Sequence, residues 1–134
     1  MSQENVEVVR PIYEASADGR FGAHLDLFDP QVEYAHKRKE ADVLVGEWHG
    51  IEAMFATIAE WMETVEDLRI EAERYIDASD SVVVFTRYTA VNRASRLPFE
   101  ERFADVITLH NGRIVRWHVY RHRDEALEAV GLSE

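Results

Sequence analysis

The spacing of apolar residues near the N-terminus is typical of an amphipathic helix. Apolar side chains recur every three or four positions until Asp18-Gly19 supplies a stop signal, and Ser2 is a suitable N-cap. Pro11 lies inside this predicted first helix and should remove one backbone hydrogen bond and bend the helix there. The apolar positions of the helix are Val6, Val9, Tyr13 and Ala17.

Two more helices and one strand are predicted before residue 63. Residues 21–28 repeat the helical spacing over a short segment that ends at Asp29-Pro30. Residues 32–36 have the composition of a strand, which enters a charged loop that runs to Gly46. Gly50 then precedes a third helix, whose apolar face consists of Ile51, Phe55, Ile58 and Met62.

The second half of the chain changes to the two-residue alternation of β-strands. Strands are predicted over residues 68–73, 81–91, 99–109 and 113–121, and His110-Asn111-Gly112 between the last two is a hairpin signal. A short last helix is predicted over residues 124–130. This order of elements predicts an α+β fold in a single domain, residues 1–134, with helices against one face of a curved antiparallel sheet.

Composition and charge exclude several kinds of function. The 134 residues include no cysteine, so disulfides, thiolate nucleophiles and zinc-thiolate sites are excluded. The net charge is -11, and residues 1–80 hold 19 acidic residues against seven Lys and Arg, so nucleic acid is not an expected partner. With no membrane-spanning apolar segment and no secretory leader, a cytoplasmic location is expected and no membrane partner.

Asp105 is the strongest catalytic candidate in the residue pattern. On the strand over residues 99–109 it shares a face with Phe103 and Ile107. Burial between apolar neighbours disfavours the ionised form, raises the pKa of the carboxyl group and would keep it protonated as a hydrogen-bond donor. The alternative is an ionised Asp105 that pairs with a buried arginine, Arg121 or Arg87, and holds the sheet together.

Five short segments together resemble the cone-shaped α+β fold of nuclear transport factor 2, and within it the SnoaL-like and ketosteroid-isomerase-like proteins. The segments are Val8–Glu14 with Asp18-Gly19, Leu27–Glu33, His49–Ala53, Asp80 with Val82–Val84, and Asn111–Val115. The resemblance covers nearly the whole chain and implies a curved sheet wrapped around helices, with an internal pocket. Proteins with this scaffold include isomerases, dehydratases, epoxide hydrolases, polyketide cyclases and non-catalytic members, so the scaffold implies no single activity.

The resemblance also implies roles for individual residues. Asp105 falls where ketosteroid isomerases carry the aspartic acid of their oxyanion hole. Tyr34 stands at the position of their general base, and their oxyanion tyrosine aligns with Ile12, next to Tyr13. Steroid isomerisation is not expected, because a tyrosine is a poor base at neutral pH.

His36 is the remaining base candidate. It shares a strand face with Tyr34, two residues away, and histidine titrates near neutral pH. A dehydratase or cyclase could pair a neutral His36 as base with a protonated Asp105 as acid, whereas in the alternative His36 begins the charged loop and faces water. The expected ligand is a small hydrophobic carbonyl or polyketide-like compound, bound without metal or other cofactor. Residues expected to contact it are Tyr13, Tyr34, Tyr88, Phe103, Trp117 and Val119, with Arg121 as a polar anchor at the open end.

The opposite face of the predicted sheet is also apolar and includes Val83, Phe85 and Val106. With helices on one side only, this face would be left in water, so we expect a homodimer through the outer sheet face, as in the family. The rival to an enzyme is a non-catalytic dimeric binding module of the same fold. A cavity of roughly a few hundred Å³ with Asp105 facing it favours the enzyme, and a packed interior with Asp105 on an arginine favours the module.

Overall fold

The computed structural model describes residues 3–20, 22–37 and 46–132. The first half of the chain forms α1 (Gln3–Ala17), a 3-10 turn (Leu25–Leu27), β1 (Phe28–Lys37), β2 (Gly46–His49) and α2 (Ile51–Met62). The second half forms β3 (Val65–Ala78), β4 (Ser81–Asn92), β5 (Pro98–His110), β6 (Arg113–Tyr120) and α3 (Arg123–Ala129). The proposed N-cap Ser2 and most of the predicted charged loop lie outside the described residues.

The α+β fold predicted from the sequence is confirmed, as a curved, unclosed sheet with three helices. The six strands lie in the order β2-β1-β6-β5-β4-β3. All neighbouring strands are antiparallel except β1 and β6, which pair in parallel with Tyr34 opposite Trp117 and His36 opposite Val119. The predicted antiparallel pairing holds for every neighbouring pair of this sheet except β1 and β6, since residue periodicity carries no information on strand direction.

Two details of the first half also differ from the sequence prediction. The second helix is only the 3-10 turn Leu25–Leu27, because Phe28 already pairs with Ile114 of β6 and stacks on Trp117 with ring centroids 5.7 Å apart. Strand β2 was not predicted, since four residues are too few to display a period. Helix α1 includes Pro11, as the sequence predicted.

Turn chemistry explains the predicted β5–β6 hairpin. Asn111 and Gly112 have φ of 51° and 76°, as a two-residue turn between right-twisted strands requires. Glycine adopts this conformation without strain, and asparagine is among the residues that tolerate it best. The hairpin places β6 beside β5, so that Val119 lies directly opposite Asp105.

The main core lies between the concave face of the sheet and helices α1 and α2. Its largest fully buried members include Val9, Val32, Ile107 and Ile114, none of which has any exposed surface. Within the described ranges, no helix is long and apolar enough to cross a membrane.

A second cluster covers the convex face of the sheet. Ala126 and Leu127 of α3 pack onto Val83, Phe85 and Val106, all of them buried. The reasoning that this face lacks cover is therefore wrong for these residues, because the last helix folds back over them. Homodimerisation stays a prediction, but these apolar residues are not available to mediate it.

Candidate functional site

A cavity of about 950 Å³ lies at the open end of the cone, and we call it the central cavity. Its wall is formed by the concave sheet face, the C-terminal half of α2, the start of β3 and the loop between β4 and β5. The volume is at the upper end of the range for small-molecule sites, roughly 300 to 1,000 Å³. Its aromatic lining residues are Tyr34, Trp48, Trp61, Tyr88, Phe99 and Phe103.

Tyr34 and His36 form a polar pair on the wall of this cavity. They lie two residues apart on β1 and therefore project from the same face, and the Tyr34 hydroxyl is 2.8 Å from His36 Nε2. The Trp48 ring packs against both, with centroid distances of 5.6 Å to Tyr34 and 6.2 Å to His36. The interpretation of His36 as a water-facing loop residue is wrong, because it lies within β1 and is half-buried at the cavity.

Asp105 is buried, with 1% of its surface exposed. The Tyr13 hydroxyl donates a hydrogen bond of 2.5 Å to Oδ2, while Oδ1 has no hydrogen-bond partner among the described residues. Burial raises the pKa of Asp105 from 3.8 to about 7, against the opposing effects of Tyr13 and of the Trp117 indole. The pKa of Tyr13 is raised well above 10, chiefly by burial and then by the Asp105 charge, so Tyr13 remains a neutral donor.

The alternative of a buried pair between Asp105 and an arginine is wrong. Arg87 projects from the opposite sheet face and pairs with Glu71 at 2.6 Å and Glu100 at 3.5 Å. Arg121 is exposed, donates to the Arg102 carbonyl at 2.8 Å and lies 5.2 Å from the centre of the Phe103 ring. The partner of Asp105 is a hydroxyl group rather than a cation.

Asp105 is close to the central cavity but does not line it. Phe103 precedes it by two residues on the same strand face, and Val119 is its partner on β6; both line the cavity. The carboxyl group thus lies beside two residues of the cavity wall. Asp105 itself is not in the described lining, and its carboxyl group contacts Tyr13 of α1 instead.

The structure divides the nine residues predicted for the site into two groups. The members that line the cavity are Tyr34, His36, Tyr88, Phe103 and Val119. Those outside its lining are Tyr13, Asp105, Trp117 and Arg121. Tyr13 and Trp117 belong to a deeper aromatic group, with ring centroids 5.8 Å apart. Arg121, predicted as a polar anchor for the ligand, is not among the residues that line the cavity.

Sequence reasoning missed two tryptophans of the cavity wall. Trp61 follows Ile58 by three residues and so extends the apolar face of α2, a spacing that was visible in the sequence. Trp48 lies in β2, which was not predicted. In the part of the chain that the structure describes, no group of three or more His, Asp or Glu is arranged to hold a metal ion.

This combination of a cone-shaped sheet, two inner helices and a cavity at the open end defines the nuclear transport factor 2-like class of folds. The sequence profile of the SnoaL-like domain matches residues 9–117, most of the chain. The chain therefore belongs to the SnoaL-like domain family. No curated protein matches its sequence.

Solved structures give the same fold. A nuclear transport factor 2-like protein of unknown function from Burkholderia pseudomallei K96243 is 21% identical, with a TM-score of 0.74 over 95% of this chain and 97% of its own. A SnoaL-like polyketide cyclase, so named provisionally, from Jannaschia sp. CCS1 is 19% identical, with a TM-score of 0.74 over 87% and 84%. TerC, crystallised with polyporic acid, is 20% identical, with a TM-score of 0.74 over 94% and 97%.

Proposed function

We propose that this protein binds a small hydrophobic molecule in the central cavity and catalyses a cofactor-independent isomerisation, dehydration or cyclisation of a carbonyl or polyketide-like compound. The observation that carries the proposal is the Tyr34–His36 pair on the wall of a cavity of about 950 Å³. Related folds that carry polyketide cyclase in their name, or that were crystallised with polyporic acid, support the choice of ligand class.

The Tyr34–His36 pair supplies both partners for acid–base chemistry. When His36 Nε2 carries a proton, it donates to the Tyr34 oxygen and leaves the tyrosine hydroxyl proton available to a ligand carbonyl. When Nε2 is unprotonated, it can instead take a proton from a carbon next to the ligand carbonyl. The C–H electron pair then forms the C=C bond of an enolate, the proton stays on the imidazolium, and the Tyr34 hydroxyl can donate a hydrogen bond to the enolate oxygen. Histidine is the side chain most often used for such proton transfers in proteins.

In this proposal Asp105 is the second acid, two residues from Phe103 on the same face of β5. Its raised pKa favours the protonated, hydrogen-bond-donating form near neutral pH. Asp105 does not line the described cavity whereas Tyr34 and His36 do, which makes the Tyr34–His36 pair the primary site of chemistry.

The test is a ligand screen followed by turnover. Aromatic polyketides and β-dicarbonyl compounds are screened by thermal shift, and those that bind are incubated with enzyme and analysed by chromatography. Turnover should fall at least about 100-fold in Tyr34→Phe and in His36→Gln, the range typical of a lost general acid or base. His110→Gln is the matched control, since His110 is exposed at the β5–β6 hairpin.

A non-catalytic binding module is the second candidate function. It is favoured by the position of Asp105, whose carboxyl group contacts Tyr13 rather than the cavity. This candidate predicts tight binding without product formation and equal affinities for wild type, Tyr34→Phe and His36→Gln. Light scattering at micromolar concentration separately tests the proposed homodimer.

A further inference from the structure

Strand β2 places one tryptophan against both members of the Tyr34–His36 pair. In the β1–β2 register Trp48 lies opposite Tyr34, and Gly46 lies opposite His36. Cross-strand partners share a sheet face, so these four positions form one block on the concave face. Three of the positions carry rings, and the fourth carries no side chain.

Gly46 gives the Trp48 indole its position. A Cβ built on Gly46 would lie 2.7 Å from Cη2 of the Trp48 ring and 3.0 Å from Cζ2, closer than carbon atoms ordinarily approach. The six-membered part of the indole therefore occupies the space that a side chain at position 46 would fill. Because position 46 is opposite His36, the indole lies beside His36 as well as beside Tyr34.

The three rings pack against one another as a triangle. The Tyr34 and His36 rings are nearly perpendicular, at 85°, with centroids 5.4 Å apart. The Trp48 centroid lies 5.6 Å from that of Tyr34 and 6.2 Å from that of His36. Edge-to-face and tilted contacts at such distances are favourable for aromatic rings, so each ring limits the side-chain rotation of the other two.

The hydrogen bond between Tyr34 and His36 requires this limit on rotation. Residues two apart on a strand are separated by roughly 6.6 Å along the chain, and each side chain has other rotamers in which the two polar ends do not meet. The rotamers in the structure bring the Tyr34 hydroxyl oxygen to 2.8 Å from His36 Nε2.

From this arrangement we propose that Trp48 is a positioning residue of the candidate site. Its indole, seated on Gly46, keeps the Tyr34 hydroxyl and His36 Nε2 together on the wall of the central cavity. The inference rests on the proposed function, because it concerns the same pair. The indole has only an N–H donor and no basic nitrogen, so Trp48 acts on the chemistry through Tyr34 and His36 and not by proton transfer of its own.

The test uses 5-nitrobenzisoxazole, an apolar aromatic probe that reports on a base in the cavity. The base takes the proton from the C–H group next to the ring nitrogen, and the C–H electron pair forms the third bond of a nitrile. The N–O bond breaks, and its electron pair leaves on a phenolate oxygen, which gives a coloured product. His36→Gln should lower kcat/KM for this reaction at least about 10-fold, which identifies His36 as the base.

Trp48→Leu should also lower kcat/KM at least about 10-fold, whereas Trp48→Phe, which keeps an aromatic ring, should stay within about threefold of wild type. Gly46→Ala keeps the indole but should lower kcat/KM because the added methyl group displaces the ring, and it replaces Trp48→Leu if that variant does not fold. The deciding measurement is made in the Tyr34→Phe background. There Trp48→Leu should cost less than about threefold, because residues that act as a unit lose activity non-additively.

Trp61→Leu is the matched control, because Trp61 also lines the cavity but packs on Tyr88, with ring centroids 6.1 Å apart. It should change kcat/KM by the same factor in wild type and in Tyr34→Phe. If Trp48→Leu, or Gly46→Ala in its place, keeps the wild-type kcat/KM or loses the same factor in both backgrounds, the inference is overturned while the proposed function stands. If wild type gives no elimination that depends on His36, the proposed base fails and the inference fails with it.

Discussion

Asp105→Asn tests whether the buried carboxyl group is uncharged in the folded protein. Asparagine keeps the shape of the side chain and an acceptor for Tyr13 but cannot ionise. A carboxyl group whose pKa rises from 3.8 to about 7 on folding binds its proton more tightly in the native state. The contribution of this proton to the free energy of unfolding is therefore fully present below about pH 4. It is lost as the pH rises from about 4 to about 7, and it falls no further above pH 7.

The magnitude follows from the same two pKa values. Each pKa unit corresponds to about 1.36 kcal/mol, so ionisation of native Asp105 destabilises the fold by about 4 kcal/mol in total, and roughly 2.5 kcal/mol of this falls between pH 5 and pH 8. In the variant, the buried asparagine NH2 group would occupy the position of Oδ1, which has no hydrogen-bond partner among the described residues. This unsatisfied donor adds a cost of about 1 to 3 kcal/mol that does not depend on pH. Relative to wild type, Asp105→Asn should therefore gain about 2.5 kcal/mol between pH 5 and pH 8, and at pH 8 it should be the more stable protein by about 1 to 3 kcal/mol.

The assay is urea unfolding at half-unit steps between pH 5 and pH 8, analysed as the difference between variant and wild type so that the six histidines cancel. Asp26→Asn, at an exposed position, is the control and should show no such trend. Tyr13→Phe removes the hydrogen bond that lowers the Asp105 pKa and should extend the pH dependence upward. A difference that stays constant over this range, or changes with the opposite sign, would mean that native Asp105 is ionised and that the burial argument is wrong.

Two further substitutions test the packing on the convex face. Phe85→Ala should lower the free energy of unfolding by about 3 to 5 kcal/mol, because Phe85 is 2% exposed beneath α3 and the Arg123 guanidinium. Light scattering should give the same molar mass for this variant and wild type. If wild type is a dimer and Phe85→Ala is a monomer, the convex face is the dimer interface after all. Arg87→Met should change the free energy of unfolding by less than about 1 kcal/mol, since its partners Glu71 and Glu100 are largely exposed; a loss of several kcal/mol in urea unfolding would contradict this.

Local signals in the sequence were sufficient for most elements of the fold. The alternation over residues 99–109 placed Phe103, Asp105 and Ile107 on one face, and all three are buried. The hairpin signal at Asn111-Gly112 was correct because both residues must adopt positive φ, a local requirement. Only four residues long, β2 gave no such signal, and its place at the sheet edge depends on pairing with β1.

The site was less predictable because its contacts are non-local. The hydroxyl partner of Asp105 is 92 residues away in the chain, on α1, and no spacing rule connects the two. Which residue of the cavity wall lies next to Asp105 across the sheet depends on the β5–β6 register, which places Val119 opposite it. The strand alternation could predict that Asp105 is buried, but not whether it faces a ligand.

Phe103→Ala tests whether the Phe103 ring is the barrier between the central cavity and Asp105. Phe103 is 7% exposed, lines the cavity and precedes Asp105 by two residues on the same face of β5. Removal of the ring should let cavity water reach the carboxyl group, and since burial is the main cause of the raised pKa, the pKa should fall toward its ordinary value. The pH-dependent loss of stability between pH 5 and pH 8 should shrink accordingly, beneath a constant loss of about 3 to 5 kcal/mol from the truncation.

Phe85→Ala is the matched control, because it removes the same ring from the convex face and should leave the pH dependence at its wild-type size. Phe103→Leu should fall between wild type and Phe103→Ala, since leucine fills part of the ring's space. If Phe103→Ala loses stability but keeps the full pH dependence, then water does not reach Asp105 past position 103. Access of a ligand to that acid by movement of the Phe103 ring would then be excluded, and the chemistry of the site would rest on Tyr34 and His36 alone.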